Sequence, residues 1–250
     1  MTLNSFFQAV KDGQMEQVEA CLEVHPEFID TPNEHTMMTP LHWAATNGHT
    51  SMTELLLRRG SHSINALTKY GMTPLHCAVT NGNTSLTELL LRWGSRSIDA
   101  PTTDGMTPLH YAAWNGCTSM AELLLREGSQ SFNARTKIGN TPLHCAVSMG
   151  HGPMVELLLR VSASGFGLHQ YLNAANTQGS KPLDFAIISK QKEIVCILKA
   201  IGATTTSNLS NISSEQIQIL CEPIPEAEVL AIRKRIYFDH TLVSILLPIL

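Results

Sequence analysis

The tetrapeptide Thr-Pro-Leu-His occurs four times, at residues 39–42, 73–76, 107–110 and 141–144, each start 34 residues after the last. A fixed period of this length means that one supersecondary unit recurs. A single unit cannot bury its own apolar face, so neighbouring units must complete each other's core. The copies agree well beyond the tetrapeptide: TPLHWAATNGHTSMTELLLRRG, TPLHCAVTNGNTSLTELLLRWG, TPLHYAAWNGCTSMAELLLREG and TPLHCAVSMGHGPMVELLLRVS. A weaker fifth copy starts at Lys181, and a degenerate leading copy starts at Ser5.

Each block reads as helix–turn–helix. Thr39 is placed to cap a first helix over 40–47, with Pro40 at the first helical position, where no N–H is needed. Gly48 ends that helix as a left-handed cap. A second helix is predicted over 51–59, with Leu55, Leu56 and Leu57 as its apolar centre and Gly60 closing it. Residues 60–71 are polar and suit an extended loop with a tight turn before the next Thr-Pro.

These residues resemble the ankyrin repeat family, over about residues 4–203. The resemblance implies an all-α solenoid of stacked helix-turn-helix units with β-hairpin fingers, in which His42, His76, His110 and His144 tie the motif threonine to neighbouring backbone. It implies six units, near 4–34, 35–68, 69–102, 103–136, 137–176 and 177–203, the outer two serving as caps. The departures from the family pattern carry expectations of their own. Loops such as 60–65 hold one extra residue, so displaced or bulged fingers are expected. Met37 stands where the next copy has Gly71, so the first finger should turn differently. Residues 162–173 carry an insertion of six, read as an irregular loop. Asp184 and Lys181 replace the motif His and Thr in repeat five. In the leading copy, Ser5 and Gln8 form a candidate capping box.

Composition narrows the function classes. Only 15% of the residues are charged and 43% are apolar, enough to bury a core. The formal net charge of −4 is unevenly spread: residues 1–34 carry −6, residues 35–203 carry +4 and residues 204–250 carry −2. Four surplus charges without a basic stripe make nucleic acid a poor partner. No apolar run approaches the roughly 20 residues of a membrane span, so no stable membrane insertion is expected. The start MTLNSFFQAVKDGQ shows no basic segment followed by an apolar one, and is read as lacking a secretory signal. The six cysteines form no CxxC or CxxH pair, which fits reduced thiols in the cytoplasm and gives no zinc site. No catalytic or nucleotide-binding motif is present. Cys77 and Cys145 read as packing residues, and Cys117, at a turn position held elsewhere by His49 and His151, is the one candidate reactive thiol. No cofactor is expected, and the reading is non-enzymatic, with a monomer as the expected state.

A repeat array offers surface. By the resemblance, the concave face is built from finger tips and exposed first-helix positions. Lys69, Tyr70, Met72, Trp93, Asp104, Met106, Trp114, Asn115 and Lys137 are the candidate partner-binding residues. Tyr70, Trp93 and Trp114 with Met72 and Met106 make an apolar patch rimmed by Lys69, Asp104 and Lys137, composed of the residue types enriched at interface centres. Scattered surface aromatics are the ordinary alternative. The expected function is recognition of a protein or peptide ligand.

The remainder is a polar linker, 204–214, and a tail, 215–250, with short helices expected at 215–221 and 226–237. Val229, Ile232 and Ile236 share one face of the latter. Three readings stand for the tail: a cover for repeat five, a detachable interaction or export signal, and a membrane-associating segment. A small array with an apolar tail and Glu222, Glu226 and Glu228 near the end resembles effectors that intracellular bacteria deliver into a host cytoplasm. The alternatives are an adaptor whose tail, around Thr241, Leu242, Leu246 and Leu250, recruits a component such as a ubiquitin-ligase subunit, and an enzyme with an unrecognised site.

Overall fold

The computed structural model describes residues 1–163, 167–206, 213, 218–219 and 222–237. Among these residues every regular element is a helix, and none is long and apolar enough to cross a membrane. The described residues form two compact units, divided after Tyr111.

The first unit stacks helix pairs: α1 (Leu3–Lys11) with α2 (Met15–Val24), α3 (Pro40–Thr46) with α4 (Thr50–Arg58), and α5 (Pro74–Thr80) with α6 (Thr84–Arg92). First helices pack side by side, α1 on α3 and α3 on α5, while α4 lies on α6. The core they share contains Phe6, Leu41 and Leu75 from the first helices and Val18, Leu56 and Leu90 from the second, all fully buried. Of each Leu triplet only the middle residue is wholly enclosed here: Leu55 and Leu91 pack on the rim of the core. The leading helix starts earlier than expected. Thr2, not Ser5, is its cap, its Oγ1 accepting from the Ser5 N–H at 3.3 Å, and this shift lets Phe6, Phe7 and Val10 face inward.

The Thr-Pro-Leu-His motif works as one hydrogen-bonded device. In the copy at α3, the Thr39 N–H donates to His42 Nδ1 at 3.2 Å. Nδ1 is therefore unprotonated and also accepts from the Thr39 hydroxyl at 2.9 Å. The proton must sit on Nε2, which donates to the Met72 carbonyl in the next repeat at 3.1 Å. His76, His110 and His144 hold their own Thr N–H and hydroxyl in the same way. Burial pulls His42, His76 and His144 down to about 4, because a charged imidazole would lose its water. In repeat five Asp184 substitutes well, its Oδ2 accepting from the Lys181 N–H at 2.7 Å.

The fingers are hydrogen-bonded turns rather than paired strands. Thr68 N–H donates to the Met72 carbonyl and Thr102 N–H to the Met106 carbonyl, both at 2.9 Å. Successive tips touch through single backbone bonds, Lys69 N–H to Thr36 O and Thr103 N–H to Tyr70 O, at 2.9 Å each. One bond per pair is too few for a ladder, which explains why the expected β-hairpins carry no strand among the described residues. Glycine is demanded at Gly71: φ is +72°, and a Cβ would meet the Thr103 nitrogen at 2.8 Å. The first finger is one residue longer, closing from Asn33 N–H to Met38 O, and Met37 itself adopts φ +58°. The loops that hold the extra residue form local structure of their own. They contain short 3-10 turns at Ser63–Asn65 and Ser131–Asn133, and paired serines brace them, Ser61 with Ser63 at 2.8 Å and Ser129 with Ser131 at 2.9 Å. Asp30 fastens the first of these loops, accepting from the Ser61 hydroxyl at 2.6 Å and the His62 N–H at 2.9 Å.

Helix α7 (Pro108–Asn115) contains the division between the units. The second unit continues with α8 (Thr118–Arg126), α9 (Pro142–Ser148), α10 (Gly152–Ala163), α11 (Leu168–Leu172), α12 (Pro182–Ile188), α13 (Lys192–Ala200) and α14 (Glu226–Tyr237). Here α9 packs on α12, and α10 packs on α8 and α13. The insertion is more ordered than an irregular loop. Helix α10 runs on with Val161 and Ser162 buried, and α11 buries Tyr171 and Leu172, with the Tyr171 ring edge-on to Phe132 at 5.6 Å. Residues 164–166 lie outside the described set.

In the tail, α14 packs against α10 and α13. Ile232 and Ile236 are buried and Val229 half-buried, the face that the apolar pattern marks out. Most of the helix expected at 215–221, and all of residues 238–250, including Thr241, Leu242, Leu246 and Leu250, lie outside the described residues.

Candidate partner-binding groove

A groove of about 320 Å³ opens in the first unit between its finger turns and its first helices. Thr36 and Met38 come from the first finger, Thr68, Tyr70 and Met72 from the second, Thr46 from α3, and Cys77, Thr80 and Asn81 from α5 and its cap. None of these nine residues is charged. Tyr70 is 62% exposed, while Met72 is half-buried and Cys77 is buried in the groove floor.

The wall is held rigidly. The Tyr70 carbonyl accepts from both the N–H and the hydroxyl of Thr103, at 2.9 and 3.0 Å. Thr68 Oγ1 receives the N–H groups of Tyr70 and Met72 at 3.3 and 3.1 Å. The Met72 carbonyl is bound twice, by Thr68 N–H and by His42 Nε2. The buried motif histidine thus fixes the backbone that carries two groove side chains. On the floor, the Thr80 hydroxyl donates to the His76 carbonyl at 2.8 Å. Burial pushes the Cys77 thiol up, with a hydrogen bond from Thr46 opposing it, and pushes Cys145 up to about 12. Both are packing groups rather than poised nucleophiles. Cys117 is half-buried, its Sγ 3.9 Å from the Asn115 carbonyl. Among the described residues no group of three His, Cys, Asp or Glu side chains is arranged to hold a metal ion.

Of the candidate residues in this unit, the groove brings together Tyr70 and Met72. Lys69, Asp104 and Met106 stand on the finger turns outside its lining, Lys69 and Asp104 exposed and Met106 half-buried. Trp93 is the C-cap residue of α6, 44% exposed and outside the lining. In the second unit, Trp114 and Asn115 end α7 and are exposed, the Trp114 carbonyl accepting from His151 Nε2 at 3.0 Å. Lys137 is exposed on its own finger. Trp114 occupies the repeat position that Thr46 and Thr80 hold in the first-unit groove. Cys77 and Thr68 are groove residues that the sequence reading did not single out. The signal for Cys77 was its spacing of three from Thr80, which places both on one face of α5.

Of the acidic tail residues, Glu222 makes polar contacts to α13. Glu222 receives Lys199 Nζ on its carbonyl at 3.0 Å, and its carboxylate lies 3.6 Å from Lys192 Nζ. Glu226 and Glu228 occupy the first turn of α14, where carboxylates complement the helix dipole.

A family model describing ankyrin repeats, three copies at a time, matches residues 6–100, 61–135, 81–166 and 129–208. These overlapping matches together span most of the chain. No curated protein matches it.

Proposed function

Given that the chain belongs to the ankyrin repeat family, whose repeats generally serve as protein–protein interaction modules, we propose that the first-unit groove receives an uncharged apolar side chain of a protein or peptide partner. The observation that carries this is the groove itself: uncharged, walled by Tyr70, Met38 and Met72, and set on backbone that hydrogen bonds already hold in place. A preorganised site loses little conformational freedom on binding, and aromatic and Met side chains supply contact area at interface centres. Met106 continues the column one finger on, with Lys69 and Asp104 as its polar rim. Trp114, Asn115 and Lys137, exposed on the second unit, are a partner-contact surface of that unit considered by itself. The activity is binding rather than turnover, placed in the cytoplasm, where Cys21, Cys77, Cys117, Cys145 and Cys196 remain free thiols. The seating of α14 on α10 and α13 supports a tail held against the array over a free export segment.

Affinity capture from cell lysate tests the reading when groove variants serve as paired baits. Thr80→Trp should fill the groove without unfolding the unit, since the third repeat carries Trp114 at the same position. Tyr70→Ala removes the wall. A partner retained by the unaltered chain should be lost by Thr80→Trp and weakened at least about fivefold by Tyr70→Ala, on the order of 1 kcal/mol, with melting temperatures unchanged. Equal retention by all three baits contradicts the assignment.

A further inference from the structure

Helix α14 is shallowly seated. Two of its twelve residues are buried, against five of nine in α13 and eight of twelve in α10. What holds it is largely polar and basic. Arg235 Nη2 lies 2.7 Å from Glu156 Oε1 on α10. Arg233 Nε donates to the Ala200 carbonyl at 2.8 Å, at the C-terminal end of α13, where carbonyls lack helical partners and a cation meets the negative end of the dipole. Ile232 and Ile236, one turn apart, fill the apolar part of the seat. The seat therefore selects a pattern, Ile-Arg-x-Arg-Ile on one helix, and every contact in it is non-covalent. Glu156 is the built-in discriminator: its side chain is 20% exposed, so a helix without a cation there would leave a half-buried carboxylate unpaired.

We propose that the groove between α10 and α13 is a second protein-binding site, for a basic amphipathic helix of a partner, and that α14 occupies it in cis as a competing ligand. Tethering gives α14 a high effective concentration, so a partner helix engages fully only when α14 is displaced. This site is independent of the first-unit groove, and its test uses no ligand of that groove.

The probe is a fluorescein-labelled peptide of residues 222–237, titrated into the full chain and into full chain carrying Ile232→Asp and Ile236→Asp, which cannot seat its own helix. The double variant should keep a cooperative thermal transition and bind the peptide one to one, at least tenfold more tightly than the unaltered chain does. Adding Glu156→Arg to the double variant should weaken the peptide at least tenfold, and a peptide carrying Arg235→Glu should recover that loss. Equal binding to both chains, no binding to either, or no recovery by the charge-swapped peptide overturns the proposal. So does loss of the thermal transition, which would make α14 an integral part of the fold. A unaltered chain that dimerises with concentration in light scattering also overturns it, by giving the groove to a second copy's α14.

Discussion

Acidification from pH 7 to about 4 is expected to remove several kcal/mol of folding stability. A free imidazole takes up its proton near 6.5, whereas His42, His76 and His144 hold out to about 4 in the folded chain. Between those values the unfolded chain binds more protons, so stability is complete above about pH 6.5 and falls progressively as the pH drops toward 4. Each pH unit of difference is worth about 1.4 kcal/mol per group, so each histidine contributes at most about 3 kcal/mol at the bottom of the window. The structural reason is specific. Once protonated, Nδ1 becomes a donor facing the Thr N–H, also a donor, and the device that joins Thr39, His42 and Met72 cannot form. Asp30 acts in a different window. Its burial raises the carboxyl, but hydrogen bonds from Ser61, His62 and Ser63 outweigh this and hold it below its usual 3.8, so its contribution is lost only as the pH falls below that value. Urea midpoints at pH 7, 6, 5 and 4.5 measure the effect. A midpoint that stays flat from pH 6.5 to 4.5 would show that the buried imidazoles carry none of it.

The second large effect separates residues that look identical in the sequence. Leu90→Ala should cost about 3 kcal/mol, within the range for emptying a fully packed core position, because Leu90 is wholly buried in the first unit's core. Leu91→Ala, next to it, should cost about 1 kcal/mol, because that side chain only borders the core and its surroundings can close over the loss. Urea unfolding of the two variants, read for midpoint at constant slope, decides the matter. Equal costs would mean that the packing register of α6 is not the one described.

That contrast also marks how far the sequence could be read. The period and the Thr-Pro, Gly and Leu punctuation make the helix pairs legible, because each mark has a local cause: a cap, a missing N–H, a left-handed residue. The histidine network is legible only through the family resemblance that the motif carries. What could not be read depends on packing. Three consecutive leucines on a helix point in three directions, and only the neighbouring helix decides which is enclosed. Insertions carry no period, so α11 read as a loop although Tyr171 and Leu172 anchor it. In the groove, Tyr70 and Met72 were legible as finger positions. Trp93 shares the aromatic character of Tyr70 and precedes a closing glycine, yet the end of α6 places it outside the groove lining. Cys77 sits at a core position of its repeat, buried as that position requires, while its edge still forms the groove floor.

The central claim is that the first-unit groove is where a partner's apolar side chain sits. Methyl NMR on protein labelled at methionine tests it most directly, because Met38 and Met72 line the groove while Met52, Met120 and Met154 are buried in the helix stacks. On addition of a captured partner, the Met38 and Met72 methyl signals should shift and the signals of Met52, Met120 and Met154 should stay. Shifts elsewhere with Met38 and Met72 unmoved would contradict the account.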